Sequence, residues 1–147
     1  MNLVHLFLNW AAAFEETYRD DDWSRLEEFL APDVEYEVKG APFACVLRGR
    51  AAVLAAIRRS VNGFDRRCVR TLTPAALPAQ EGDAVIVQGT IAYTHGDSPP
   101  LVGTVRETAT YADGRIVRLV DEYDPASAAR ARAWLAEWGA GLDWSYV

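Results

Sequence analysis

Two acids stand out because each is the single charged residue in an otherwise apolar alternating set. Val105, Glu107, Ala109 and Tyr111 form one set, and Val117, Leu119, Asp121 and Tyr123 form the other. Both sets lie in β-rich runs, about 102–111 and 116–123, that flank Asp113-Gly114, a strong hairpin signal. With a three-residue loop, Asp113-Gly114-Arg115, Ala112 pairs with Ile116. Tyr111 then faces Val117, Ala109 faces Leu119, and Glu107 faces Asp121. A two-residue loop would instead set Ala112 opposite Arg115 and send the acids to opposite faces. The clean apolar sets favour the longer loop, since the shorter one turns a polar set inward. Directly opposed residues carry Cβ atoms roughly 4.5–5.5 Å apart. Two carboxylates that close on a low-dielectric face cannot both be charged cheaply, so one keeps its proton while the other serves as base.

The competing assignment pairs Glu107 or Asp121 with an arginine such as Arg70, Arg48 or Arg106, as a structural tie within the sheet. Tyr36 sits in a third alternating set (Val34, Tyr36, Val38) and either directs its hydroxyl to the acids or is a satisfied core tyrosine. Trp10, Phe14 and Trp23 can line a pocket, although aromatics at helical spacing are also ordinary core. Tyr111, Leu119 and Tyr123 complete the candidate substrate-binding set, with Tyr36 or Tyr123 as hydrogen-bonding partners of a substrate oxygen. His95 reads as a turn residue and His5 as surface. No HExxH, CxxC, glycine-rich phosphate loop or GxSxG elbow is present, so the expectation is an enzyme without metal or cofactor.

The elements that must position these residues follow from periodicity. Val4, Phe7, Leu8, Ala11, Phe14 and Tyr18 recur at helical spacing with Trp10 beside the stripe. Asp20-Asp21-Asp22 breaks that helix, and Trp23, Leu26, Phe29 and Leu30 predict a shorter one ending before Pro32. A strand over 34–39 ends at Gly40-Ala41-Pro42. Gly49 precedes a third helix with Val53, Leu54, Ile57 and Val61 on one face. Strands are then expected at 68–72 and 84–94 ahead of the hairpin. Asp124 and Pro125 start a last helix that Gly139 stops. Helices first and a strand meander later make an α+β protein, one domain over residues 1–147, with a curved, mostly antiparallel sheet against the helices and a cavity between them.

Composition narrows the partners. The 147 residues carry 21 acids against 15 basic residues, a net charge of −6, which disfavours nucleic acid and anionic membrane as ligands. The apolar opening MNLVHLFLNWAAAF lacks the basic flank of a secretory signal. Cys45 and Cys68 fit neither a disulfide framework nor a metal site, and the expectation is reduced thiols in a cytoplasmic protein.

The stretches AAAFEETYRDDDWSRLEEFLAPDVEYEV, LRGRAAVLAAI and ATYADGRIVRLVDEYDP, in that order and spacing, resemble the SnoaL-like branch of the nuclear transport factor two-like superfamily. The resemblance covers nearly the whole chain. It implies a cone-shaped α+β fold with an interior ligand cavity, and a homodimer made through the outer face of the sheet. Polyketide cyclases of this type resemble the chain at Asp121, where their last strand carries an acid/base aspartate. Epoxide-hydrolase relatives need an Asp–Arg–Asp set, which Val120 and its neighbours do not supply. A ketosteroid-isomerase match sets its oxyanion tyrosine on Phe14 and its base on Val38, neither of which can exchange a proton, and its protonated acid on Glu107. Scytalone-dehydratase chemistry would want pocket histidines. Two readings stand at this point. One is an acid/base enzyme of cyclase, isomerase or hydrolase type acting on a small apolar molecule, with Asp121 and Glu107 catalytic. The other is a non-catalytic binding or dimerisation module, whose outward set (Ile116, Val120) and tail 142–146 bury against a partner.

Overall fold

Asn2 caps the first helix by accepting from the His5 amide at 3.1 Å, and α1 runs from Leu3 to Asp20. The computed structural model describes residues 2–40, 42 and 44–147, so Ala41 of the expected strand-ending turn lies outside the described residues. The buried stripe of α1 is Leu3, Phe7, Trp10 and Thr17, with Phe14 packed against it. The helix is therefore rotated from the expected stripe: Trp10 is central and Leu8 is 49% exposed. Asp21 adopts a left-handed conformation and ends the helix by returning its N–H to Thr17.

The predicted second helix is a 3-10 turn, Trp23–Phe29, and Leu30 already begins β1 (Leu30–Lys39). Pro32 is tolerated there because the pairing of β1 shifts between Leu30 and Glu35, which leaves its missing N–H outside a regular ladder. A short β2 (Cys45–Arg48), absent from the sequence expectations, folds back on β1. Next come α2 (Arg50–Gly63), a 3-10 turn (Asp65–Arg67), β3 (Val69–Pro74) and a three-residue β4 (Ala79–Glu81). β5 (Ala84–Thr94), β6 (Leu101–Ala112) and β7 (Arg115–Tyr123) form the meander. Asp124 then caps α3 (Pro125–Trp138) by accepting from the Ser127 amide at 2.6 Å.

The strands form one open, curved sheet in the order β2-β1-β7-β6-β5-β3, with β4 on β5. Only the β1–β7 pairing is parallel. An α+β fold with the helices on one face of a mostly antiparallel sheet is what the element order implied. Apolar residues from that face make two buried clusters. One joins α1 and α2 to Val34, Tyr36, Val85, Ala109 and Leu119; the other joins α3 to Phe64, Ile91, Tyr93 and Leu101.

The β6–β7 turn corrects the expected loop. Asp113 (φ 51°) and Gly114 (φ 77°) are both left-handed, the signature of a two-residue hairpin turn, and Ala112 pairs with Arg115. Tyr111 consequently faces Ile116, not Val117, and Ile116 is fully buried in the core instead of pointing outward. A bulge between Thr110 and Tyr111, with Val117 as the extra residue on β7, then restores the phase. Beyond it Ala109 faces Leu119 and Glu107 faces Asp121, as expected. The tail also departs from the partner-facing assignment. Trp144 packs 5.4 Å from Phe64, and Tyr146 lies 5.8 Å from Tyr36, ring centre to ring centre, within the same chain.

Candidate active site

Strand registers place five residues in one row across the inner face: Cys45, Val38, Asp121, Glu107 and Val87. The two acids sit side by side in a row that is otherwise free of charge. On one side of this row lies the cluster under α1 and α2, and on the other the cluster under α3, with Tyr123 packed against both. The acids therefore occupy the seam between two hydrophobic cores, partly exposed themselves but ringed by packed groups.

Among the described residues, no arginine forms an ion pair with either acid. Arg70 pairs with Glu15 at 2.6 Å and lies 3.9 Å above the Tyr18 ring, so the salt-bridge assignment for the inner acids fails at its first candidate. The partner of Asp121 is Tyr36, whose hydroxyl donates to Oδ2 at 2.7 Å. Tyr36 is 3% exposed and faces Leu119, one step along from Asp121 on the neighbouring parallel strand. A short phenol–carboxylate bond of this kind favours the charged acceptor.

Burial raises the pKa of both carboxyls, Glu107 the more strongly, and the negative charge of Asp121 pushes Glu107 further up. For Asp121 the effect of burial is opposed by hydrogen bonds from Glu107 and Tyr36. The geometry thus divides the roles: Glu107 holds the proton and can donate it to Asp121, which carries the charge. With both groups ionised, Asp121 Oδ1 would have no donor. Tyr36 is itself pushed well above its usual range by burial and then by the Asp121 charge, so it stays a donor.

Among the described residues, Tyr111 Oη is a buried side-chain polar atom with no hydrogen-bond partner in the chain, and Asp121 Oδ1 joins it only when Glu107 gives up its proton. Tyr111 lies on the same face of β6 as Glu107, and burial and the Glu107 charge both raise its pKa. A buried polar atom without a partner costs about 1–3 kcal/mol. The Tyr111 hydroxyl beside the acid pair therefore gives a polar ligand group a buried partner to satisfy.

The other candidates are distributed differently. Leu119 is 2% exposed and floors the row beside the acids. Tyr123 closes the seam, and burial holds its hydroxyl protonated. Trp10, Phe14 and Trp23 pack on one another at 5.9–6.1 Å, with Phe29 alongside, and Trp23 Nε1 is committed to Asp21 at 2.7 Å. They form the wall under α1. His95 is a turn residue, as expected, its amide bonded to Ser98.

Sequence reasoning missed Asp65. It follows the last turn of α2, accepts from Tyr93 Oη at 2.9 Å, and its pKa is raised by burial to about 6. No periodicity marks a lone acid in a 3-10 turn, and Tyr93 reads as core. Tyr146 enters the sequence reading only as part of a tail burying against a partner, although the alternation of Leu142, Trp144 and Tyr146 signals a segment with one buried side.

The comparisons with known proteins bear on this arrangement. The family model described as a SnoaL-like domain matches residues 11–119, spanning α1 to the middle of β7. The chain belongs to the SnoaL-like family. Among solved structures it is similar to an NTF2-like protein of unknown function from Burkholderia pseudomallei. They share 21% identity at a TM-score of 0.65, over 86% of this chain and 95% of that one. It is also similar to an LEH-like epoxide hydrolase from M. tuberculosis, at 20% identity and a TM-score of 0.61, over 90% and 93% of the two chains. A third is a putative polyketide cyclase from Sinorhizobium meliloti, at 22% identity and a TM-score of 0.53, over 77% and 93%. At these identities the likeness is one of fold. No curated protein matches the chain by sequence. SnoaL-like folds of this shape host several chemistries, so activity has to be argued from the acids themselves.

Proposed function

We propose that this SnoaL-like protein is a cofactor-independent acid/base enzyme acting on a small, largely apolar molecule held inside the cone. The observation that carries the reading is the convergence of Glu107, Asp121 and Tyr36, with the buried Tyr111 Oη beside them lacking a partner among the described residues. Asp121 is the base. Its Oδ2 is held by Tyr36, and as the Glu107 proton turns to a substrate oxygen, Oδ1 takes a proton from carbon next to a carbonyl or from an attacking water. Protonated Glu107 is the acid, able to return a proton or donate a hydrogen bond to developing negative charge. Tyr111 offers a second neutral donor to a substrate oxygen. The apolar residues of the two clusters exclude water and supply the binding surface. Cyclisation, isomerisation and hydrolysis share these proton transfers, and two of the structural relatives are named an epoxide hydrolase and a putative polyketide cyclase.

The test is a pH titration of the two carboxyl carbons by NMR, with assignments from Asp121→Asn and Glu107→Gln. The expected result is that Glu107 titrates well above the ordinary carboxylate range and moves down when Asp121 loses its charge. Two independent titrations in the ordinary range would overturn the reading and favour a binding module.

A further inference from the structure

We propose that Tyr146, carried in by the C-terminal segment, is a positioning residue of the same acid site, and that this segment is a strap across the open side of the cone. The proposal rests on the acid/base reading above and extends it to residues beyond the stretch that the family model matches.

The strap is held at defined points after α3 ends at Gly139. Arg67 donates to the Gly141 carbonyl at 2.7 Å, the Asp143 amide to the Gly63 carbonyl at 3.0 Å, and Ser60 Oγ to the Trp144 carbonyl at 2.9 Å. Trp144 packs against Phe64. A Cβ at Gly63 would run into the Asp143 carbonyl oxygen, so this last residue of α2 must be glycine for the chain to lie so close. Such anchoring is more than a loose terminus acquires. Its product is the placement of Tyr146, whose ring meets Tyr36 edge to face at 5.8 Å.

Tyr36 has one proton, already donated to Asp121, and its oxygen can still accept. Tyr146 is the phenol at hand to donate there. A donor behind a donor polarises the chain of bonds and strengthens the one that ends on the carboxylate. Tyr36, Tyr123, Tyr93, Asp121, Asp65 and Ser60 are the ionisable or polar groups around Tyr146, and burial keeps its proton on. The strap thus does two separable things: its hydroxyl supports the charge on Asp121, and its bulk keeps water off both acids.

The two roles predict shifts of opposite sign, read by the carboxyl titration of the full-length chain. Tyr146→Phe keeps the ring and removes the hydroxyl, so the first ionisation of the acid pair should rise by about half a pH unit. Gly63→Ala alters no polar group and suits a helix, but dislodges the strap at Asp143. Both carboxyls should then move down toward ordinary values as water enters, and a chain ending at Leu142 should do the same. Circular dichroism confirms that each variant is folded. If the wild-type carboxyls show the coupled, raised titration and none of these variants moves it, the role of the strap is overturned while the acid pair stands. If the wild type itself titrates normally, the acid/base reading fails first.

Discussion

On the outer face of β7, Arg118 holds Glu35 at 3.2 Å and Glu37 at 2.8 Å. Three residues on, at the inner face, Asp121 has a carboxyl and a phenol for company and no cation. The same strand thus carries acids under opposite regimes. Outside, charges of both signs sit in water, where each pair contributes little. Inside, two acids share one desolvated row, and the absence of a counter-charge there is what forces a proton to be shared. A surface acid is neutralised by a neighbour, whereas this buried pair is neutralised by keeping a proton, and only the latter arrangement can pass one on.

The sharpest way to break the comparison is to remove Asp121, the base of the proposed reaction. Asp121→Asn preserves shape and leaves the fold intact, but should lower turnover of a verified substrate by about 10²–10⁴-fold, as expected for loss of a general base. Normal turnover would show the inner acid to be as idle as the outer ones.

A second test asks whether burial of acid costs stability. Asp65, with Tyr93 on its carboxyl and a pKa raised to about 6, keeps its proton longer in the folded chain than in the unfolded one. The folded state therefore binds more protons between about 3.8 and 6, and stability falls as pH rises through that window. Asp65→Asn removes the cost, so the variant should be more stable than wild type at pH 8 by about 2–3 kcal/mol and no more stable at pH 3. Urea unfolding at the two pH values measures the difference.

A third imports the outer regime inward. Val87 faces Glu107 across β5 and β6. Val87→Arg supplies the missing cation, and the Glu107 titration should drop by roughly 1–3 units. The smallest effect belongs to the outer face. Arg118→Ala should cost less than about 1 kcal/mol in urea and leave the inner titrations where they were.

The inner row was legible in the sequence because a single acid in each apolar alternating set is a strong signal, and the facing of Glu107 and Asp121 followed from it. The turn was not, because two unread features compensate. Asp113-Gly114 closes with two residues where three were expected, and Val117 adds back the residue that the turn leaves out. Alternation reports the face of a residue and not the count of residues around a bend. Pro32 masked the early start of β1 for a related reason, since an irregularity in pairing absorbed it. Tyr36 could be assigned a face but not a partner: whether a core phenol meets a carboxylate depends on the stagger of two parallel strands. Asp65 and Tyr146 reach the interior through a 3-10 turn and a coil, which have no period to read.

The bulge at Val117 gives the hairpin one residue of slack. A chain lacking Val117 could run straight from the two-residue turn into a regular ladder and still set Glu107 opposite Asp121. A three-residue turn would absorb the spare residue equally well. A residue gained at the turn is taken up by lengthening it, but one gained between Val117 and Asp121 has no such outlet and without a second bulge would swing Asp121 out among Arg118 and its glutamates. Along this stretch the register depends on arithmetic more than on side-chain identity, and indels there fall into two unequal classes, forgiving at the turn and the bulge and severe between the bulge and Asp121.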